Sequence, residues 1–243
     1  MKTLLHVSLL LVPLFAQAQE WHSGTKQAQL VELYTSEGCS SCPPADKWLS
    51  TLKDDPALFD GLIPVAFHVD YWDYIGWKDP FASPVHTQRQ QDYARFGHIS
   101  QMYTPGFVVD NKEWRSWFRG QRTLPTLDRT SGELDVVLND NNTLNVNYSG
   151  TLKLNDKDKQ NTELHITYLG MGLTTKVKAG ENKNRQLNHD FVALNYFSLP
   201  GNQQWTVALP DIPQKGQEKT ALAVWVSDKN TKEVLQAIGG YLD

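Results

Sequence analysis

The stretch that decides the fold runs Gln29-Leu30-Val31-Glu32-Leu33-Tyr34-Thr35-Ser36-Glu37-Gly38-Cys39-Ser40-Ser41-Cys42-Pro43-Pro44-Ala45-Asp46-Lys47-Trp48-Leu49. Its first seven residues are apolar and β-prone, the pattern of a buried strand. From Ala45 onward the apolar residues fall at helical spacing through Trp48, Leu49 and Leu52. Cys39 and Cys42 are the two cysteines of the chain, so both lie at a strand-to-helix turn. Unpaired backbone N–H groups and the positive end of a helix dipole favour a thiolate near a helix N-terminus. That position makes Cys39 the nucleophile, and Cys42, one turn on, has the spacing to resolve a mixed disulfide. Zinc sites share the C-x-x-C spacing but need a second ligand pair, and no further cysteine exists. A purely structural Cys39–Cys42 disulfide is the other reading, although so short a loop gains little from cross-linking.

Working outward, the chain begins with Lys2, an apolar run from Leu4 to Phe15, and Ala16-Gln17-Ala18. This is the layout of a secretory leader over residues 1–18, cleaved after Ala18, which predicts a periplasmic or secreted protein. The run is too short to span a membrane comfortably and nothing later approaches one, so the protein is not expected to be membrane-embedded. The net charge of −4 and the lack of a basic block argue against nucleic acid as a partner.

Composition shifts near residues 120–132 and divides the remainder into 19–125 and 126–243. The second half carries alternating stretches such as Leu144-Asn145-Val146-Asn147-Tyr148 and Glu163-Leu164-His165-Ile166-Thr167-Tyr168-Leu169. Alternation at period two predicts strands with one face buried, and further strands are expected at 173–178, 205–209, 220–227 and 234–239. The polar run 155–161 is turn material. The expectation is an antiparallel β-sandwich-like C-terminal module.

In the first half the signals come in thioredoxin order. After the C-x-x-C and its helix come a second apolar strand at Leu62–Asp70 and a helical stretch at 87–96. Thr104-Pro105 then opens a third strand at Gly106-Phe107-Val108-Val109-Asp110, with a hairpin turn at Asn111-Lys112. A cis-proline before this strand lies against the redox pair in thioredoxin-like folds, so Thr104 and Pro105 are expected to position substrate. Cis bonds are essentially confined to X–Pro. The predicted class is therefore α/β: a thioredoxin-like N-terminal domain followed by the β-sandwich-like module.

Residues Val31–Asp46, His68–Phe81, Tyr103-Thr104-Pro105 and Gly180-Glu181-Asn182-Lys183-Asn184-Arg185 resemble a secreted thioredoxin-like bacterial family, domain of unknown function 1223. The resemblance implies export and a thioredoxin-like fold, and brings no established substrate. Thioredoxins proper carry Gly-Pro between the cysteines where this chain has Ser-Ser, and intervening residues tune thiolate stability.

Other side chains are candidates. Glu32 lies near where thioredoxins place a buried acid that moves a proton to the resolving cysteine; a salt-bridged carboxylate is the alternative. Tyr71, Trp72 and Trp77, in an aromatic segment from Tyr71 to Phe81, are candidate substrate-binding residues beside the disulfide, unless they fold back over the core. His68, Asp70 and Asp73 suggest ligands, but their spacing matches no closed metal site, and no cofactor is expected. Arg89 fits a surface or salt-bridged helix. The sequence favours an exported thiol–disulfide oxidoreductase acting on protein thiols or disulfides, a redox partner protein among them. A copper(I) handler using Cys39, Cys42 and a histidine or Met102 is one alternative. A non-catalytic interaction module with a static disulfide is the other.

Overall fold

Residues 29–35 do form a strand, and what pairs with its neighbour sets the architecture. The computed structural model describes residues 18–150, 161–201 and 203–242, so residues 1–17 of the expected leader and most of the polar run at 155–161 lie outside it. In chain order come β1 (Gln19–His22), β2 (Gln29–Thr35), α1 (Pro43–Ser50), β3 (Leu62–His68), α2 (Pro84–Arg95), β4 (Gly106–Val109) and β5 (Lys112–Glu113). There follow β6 (Leu134–Leu138), β7 (Thr143–Tyr148), β8 (Thr162–Met171), β9 (Leu173–Lys176), β10 (Gln186–His189) and β11 (Val192–Gly201). Last are β12 (Gln204–Ala208), β13 (Lys219–Asp228) and β14 (Val234–Tyr241).

β2 and β3 pair in parallel, with α1 in the crossover that parallel strands require. β4 returns antiparallel to β2. The turn into β5 is made by Asp110 and Asn111, both at positive φ (49° and 66°), one residue earlier than Asn111-Lys112. Asp and Asn tolerate that conformation better than most side chains. The far edge of β3 is taken by β11, which pairs with it in parallel at Val192–Ala66. β11 carries β8, β13 and β14 beyond it. The result is one eight-stranded sheet, β14-β13-β8-β11-β3-β2-β4-β5, drawing strands from both sides of residue 125.

This overturns the α/β thioredoxin-like expectation. The described chain is mostly strand, with two α-helices. The physical reason lies in β11, which the sequence pattern does not announce. A bulge between Ala193 and Asn195 breaks its alternation, and Pro200 sits near its end. An unpaired β3 edge would expose a row of backbone donors and acceptors, and β11 covers it.

The sandwich-like part of the expectation fits. The four-stranded sheet β1-β6-β7-β12 covers one face of the C-terminal strands. Leu134, Val136 and Val146 pack there against Leu164, Ile166 and Val224. Burial on β8 and β13 is not one-sided, however. His165 and Thr167 are also buried, as are Ala223 and Trp225, because α2 and its neighbours cover the opposite face. Among the described residues no helix is long and apolar enough to cross a membrane.

Candidate functional site

Cys39 and Cys42 are joined in a disulfide across the turn between β2 and α1. α1 begins at Pro43, and Cys42 is its N-cap; the Cys42 carbonyl accepts the Ala45 and Asp46 N–H groups at 2.8 and 3.2 Å. The two prolines at the first helical positions lack the N–H groups that would otherwise go unpaired. Cys39 thus stands in the turn ahead of the helix, with the helix end at Cys42. Both cysteines are buried, 1% and 0% exposed, while Ser40 and Ser41 between them face solvent. The Ser41 hydroxyl lies 3.3 Å from Cys39 Sγ.

The turn is held from two sides. From the second half of the chain, the Asn182 amide donates to the carbonyls of Glu37 (2.8 Å) and Cys39 (2.9 Å). Exposed Glu181 has its pKa lowered from the ordinary value by the Ser40 hydroxyl and by the Ser40 N–H, which it accepts at 3.1 Å. From the first half, the aromatic segment lies against both pieces. A Cβ on Gly38 would stand 3.0 Å from Trp72 Cβ, and one on Gly180, at φ +71°, would stand 3.2 Å from Trp77 Cβ. Glycine is needed at both close approaches.

The aromatic candidates turn their polar ends inward. Trp72 Nε1 donates to Thr104 Oγ1 (2.7 Å), Trp77 Nε1 to Glu37 Oε2 (2.7 Å), and the Tyr71 hydroxyl to Gln90 Oε1 (3.0 Å). All three are half-buried, whereas Tyr74 is 82% exposed. Burial pushes the Tyr71 hydroxyl up to about 12. Thr104–Pro105 is cis. The β2–β4 register ends at Tyr34–Gly106, so Pro105 extends it opposite Thr35, at the entrance to the cysteine turn.

Glu32 has a different set of neighbours. Arg89 Nε and Nη2 bind its two oxygens at 2.8 Å each, and the Tyr34 and Tyr93 hydroxyls donate at 2.8 and 2.5 Å. Neither cysteine is among its partners; the geometry is that of the salt-bridged carboxylate. Arg89 is buried rather than at the surface. Its network runs on through Tyr196 (3.1 Å) and His165 (2.8 Å) to Ser227 (2.8 Å).

A second buried cluster lies behind the cysteine turn. Asp79 Oδ2 accepts from His68 Nδ1 (2.7 Å) and the Glu37 N–H (2.8 Å). His189 Nε2 lies 3.2 Å from Glu37 Oε1, and Thr35 Oγ1 donates to Asp46 Oδ2 at 3.0 Å. Burial raises the Asp46 pKa. Burial alone would lower that of His68, but adjacent Asp79 outweighs it and raises it; Asp79 itself, despite burial, is lowered by His68. Asp70 and Asp73 do not join His68: they accept from Thr87 Oγ1 and the Asp79 N–H. Asp46 and His189 were missed by sequence reasoning. Asp46 stands inside the Pro-Pro-Ala-Asp run, but His189 lies far along the chain with no local pattern to mark it.

Pairing, glycine contacts and the Asn182 clamp thus tie together all the stretches whose residues carry the family resemblance. The chain belongs to that family: the model described as protein of unknown function DUF1223 matches residues 30–227. The fold is shared with two solved structures. Protein AGR_C_4864 of Agrobacterium tumefaciens is 20% identical, with 87% of this chain and 92% of that one covered and a TM-score of 0.57. HBP35 of Porphyromonas gingivalis is 13% identical, with coverages of 91% and 77% and a TM-score of 0.54. Among curated proteins none matches the chain.

Proposed function

We propose that the protein is an exported thiol–disulfide oxidoreductase that works through Cys39 and Cys42, with protein thiols or disulfides as substrates. The observation that carries this reading is the turn itself: a closed cysteine pair at the head of a helix, its two intervening serines open to solvent. A partner thiolate attacks Cys39 Sγ, and the electron pair of the S–S bond leaves on Cys42 Sγ, which becomes a thiolate or takes a proton. A second partner thiolate then attacks the mixed disulfide and releases Cys39 as a thiolate. The partner leaves oxidised and the pair reduced; the reverse sequence reduces a partner disulfide. The positive end of the α1 dipole favours the leaving Cys42 thiolate, and Ser41 can donate to a Cys39 thiolate. Thr104 and Pro105 flank the approach, and Trp72 and Trp77 form the wall beside it. Glu32 is committed to Arg89 and has no part in this scheme.

Burial of both sulfur-bearing residues supports a second reading, a static disulfide in a non-catalytic interaction module. Equilibration of the native protein in glutathione buffers, with acid trapping of free thiols over time, separates the two. The oxidoreductase reading expects reversible exchange without denaturant. Reduction that occurs only after unfolding would establish the static bridge instead.

A further inference from the structure

Three side chains behind the cysteine turn, from three different elements, each offer one atom to a shared space. Asp46 comes from α1, His68 ends β3 and His189 ends β10. Their exposures are 6%, 0% and 3%. A carboxylate can only accept, so the hydrogen bond to Asp79 puts a proton on His68 Nδ1, and the contact with Glu37 puts one on His189 Nε2. In the neutral rings the remaining nitrogens, His68 Nε2 and His189 Nδ1, are lone pairs. Both are buried without a hydrogen-bond partner. Asp46 gives one oxygen to the Thr35 hydroxyl, which leaves Oδ1 facing His189 Nδ1 at 4.0 Å. One ligand atom from each of the three side chains lies within 4.8 Å of the other two.

Lone pairs turned together in a dry interior repel, and a cation between them removes the repulsion. We propose that Asp46, His68 and His189 bind a divalent first-row transition metal of the zinc class. Two imidazoles and one carboxylate suit such an ion, whereas calcium and magnesium take all-oxygen sets. Each ligand is already braced at its far atom, by Asp79, Glu37 or Thr35, as metal sites brace theirs. Glu37, Asp46 and Asp79 also surround the space with more negative charge than two neutral rings offset. A tetrahedral ion with bonds of about 2.1 Å sets its ligands about 3.4 Å apart, so the three atoms close by roughly an ångström on binding. No sulfur is needed, and the inference stands apart from the proposed exchange chemistry.

The test uses the full protein with its disulfide intact, titrated with Zn²⁺ and with Co²⁺ as the spectroscopic probe. One equivalent per chain is expected, with visible ligand-field bands, no thiolate charge-transfer band, and a thermal midpoint that rises with zinc and falls again with chelator. His189→Gln and Asp46→Asn should each weaken binding at least about 100-fold, and Asp79→Asn about 10- to 100-fold. Paired Cys39→Ser and Cys42→Ser substitutions should leave it unchanged. The proposal is overturned if the wild-type disulfide form takes up neither ion at micromolar concentration. It is equally overturned if both ligand variants, checked for folding by circular dichroism, bind as well as wild type. Uptake that appears only on reduction, and is lost in the serine variant, would assign the metal to the cysteines instead.

Discussion

Two polar clusters are buried against opposite faces of β2 and β3. Glu32 and Phe67 face α2, where Arg89 binds Glu32 and lies over the Phe67 ring; Thr35 and His68, each an odd number of residues away, face Asp46 on α1. In the first cluster each side-chain nitrogen and oxygen of Glu32, Arg89, Tyr196 and His165 has a partner. In the second, two imidazole nitrogens have none. Both are buried, so the difference is one of saturation. A saturated network specifies a fold, since any other packing would strand its members. One that leaves lone pairs converging is unfinished as a structural device, and its residues are those of a site. The contrast also explains why Glu32, on the strand that leads to the cysteines, belongs to a structural network on the other face of the sheet.

The largest expected effect breaks the saturated cluster. Arg89→Leu leaves the Glu32 carboxylate buried without its cation and should cost about 3–5 kcal/mol in urea or thermal unfolding. Adding Glu32→Gln in the same chain should return part of that loss, because the penalty belongs to the stranded charge. His189→Gln, which forfeits one longer contact, should cost about 1 kcal/mol in the metal-free protein. Similar losses at the two positions would remove the distinction between the clusters.

Asp110 sharpens the comparison from outside. Its Oδ1 is also buried without a partner, but no second ligand converges on it. Burial raises its carboxyl to about 6, with the Gln29 hydrogen bond pulling the other way. The folded state therefore holds a proton between about pH 4 and 6 that the unfolded state has released. Stability contributed by the protonated form is fully present near pH 4 and is lost as pH rises through 6, by about 2 kcal/mol after allowance for partial exposure. Asp110→Asn should flatten that slope in denaturant unfolding across pH 4–8. An unchanged slope would mean that a lone stranded oxygen is relieved by solvent.

How far the sequence carried these conclusions depends on distance along the chain. The strand–turn–helix around Cys39, the Thr104-Pro105 step and most C-terminal strands were legible because period, proline and turn residues are local signals. β11 was not, since its bulge erases the alternation, and with it went the pairing that joins both halves in the eight-stranded sheet. The site divides in the same way. Cys39 and Cys42 announce themselves by spacing, whereas His189 and Asn182 reach the turn only through the fold. Gly180–Arg185 carried part of the family resemblance, yet only the hydrogen bonds that Asn182 donates and Glu181 accepts explain the segment as a clamp.

That clamp gives the third prediction. Asn182→Ala removes two buried hydrogen bonds that hold the carbonyls of Glu37 and Cys39, and Glu37 in turn braces His189. At about 0.7 kcal/mol each, the lost bonds should open the turn enough to raise the rate of disulfide exchange with a small thiol about tenfold. The Glu32–Arg89 cluster has no contact with this strap, so global stability should move less than the exchange rate does. A rate that falls, or a loss spread equally over both, would mean that the strap orders the turn for reaction rather than covering it.

The smallest expected effect concerns the aromatic wall, which joins the exposed rim to the unsaturated cluster. Trp77 reaches Glu37, the residue that orients His189, while Trp72 reaches Thr104 and packs on Gly38. Trp72→Phe keeps the ring against Gly38 and gives up the Thr104 bond; Trp77→Phe does the same towards Glu37. Each loses a single hydrogen bond worth about 1 kcal/mol. With a protein disulfide as substrate, exchange should slow about three- to fivefold in either variant. With a small disulfide that touches only the sulfurs, the rate should stay within about twofold of wild type. The two tryptophans should then part on metal binding, where Trp77→Phe alone weakens uptake, since it alone loosens a brace of a ligand. Equal losses on both substrates in both variants would reduce the segment to a cover over the core, and the wall would have no role in choosing partners.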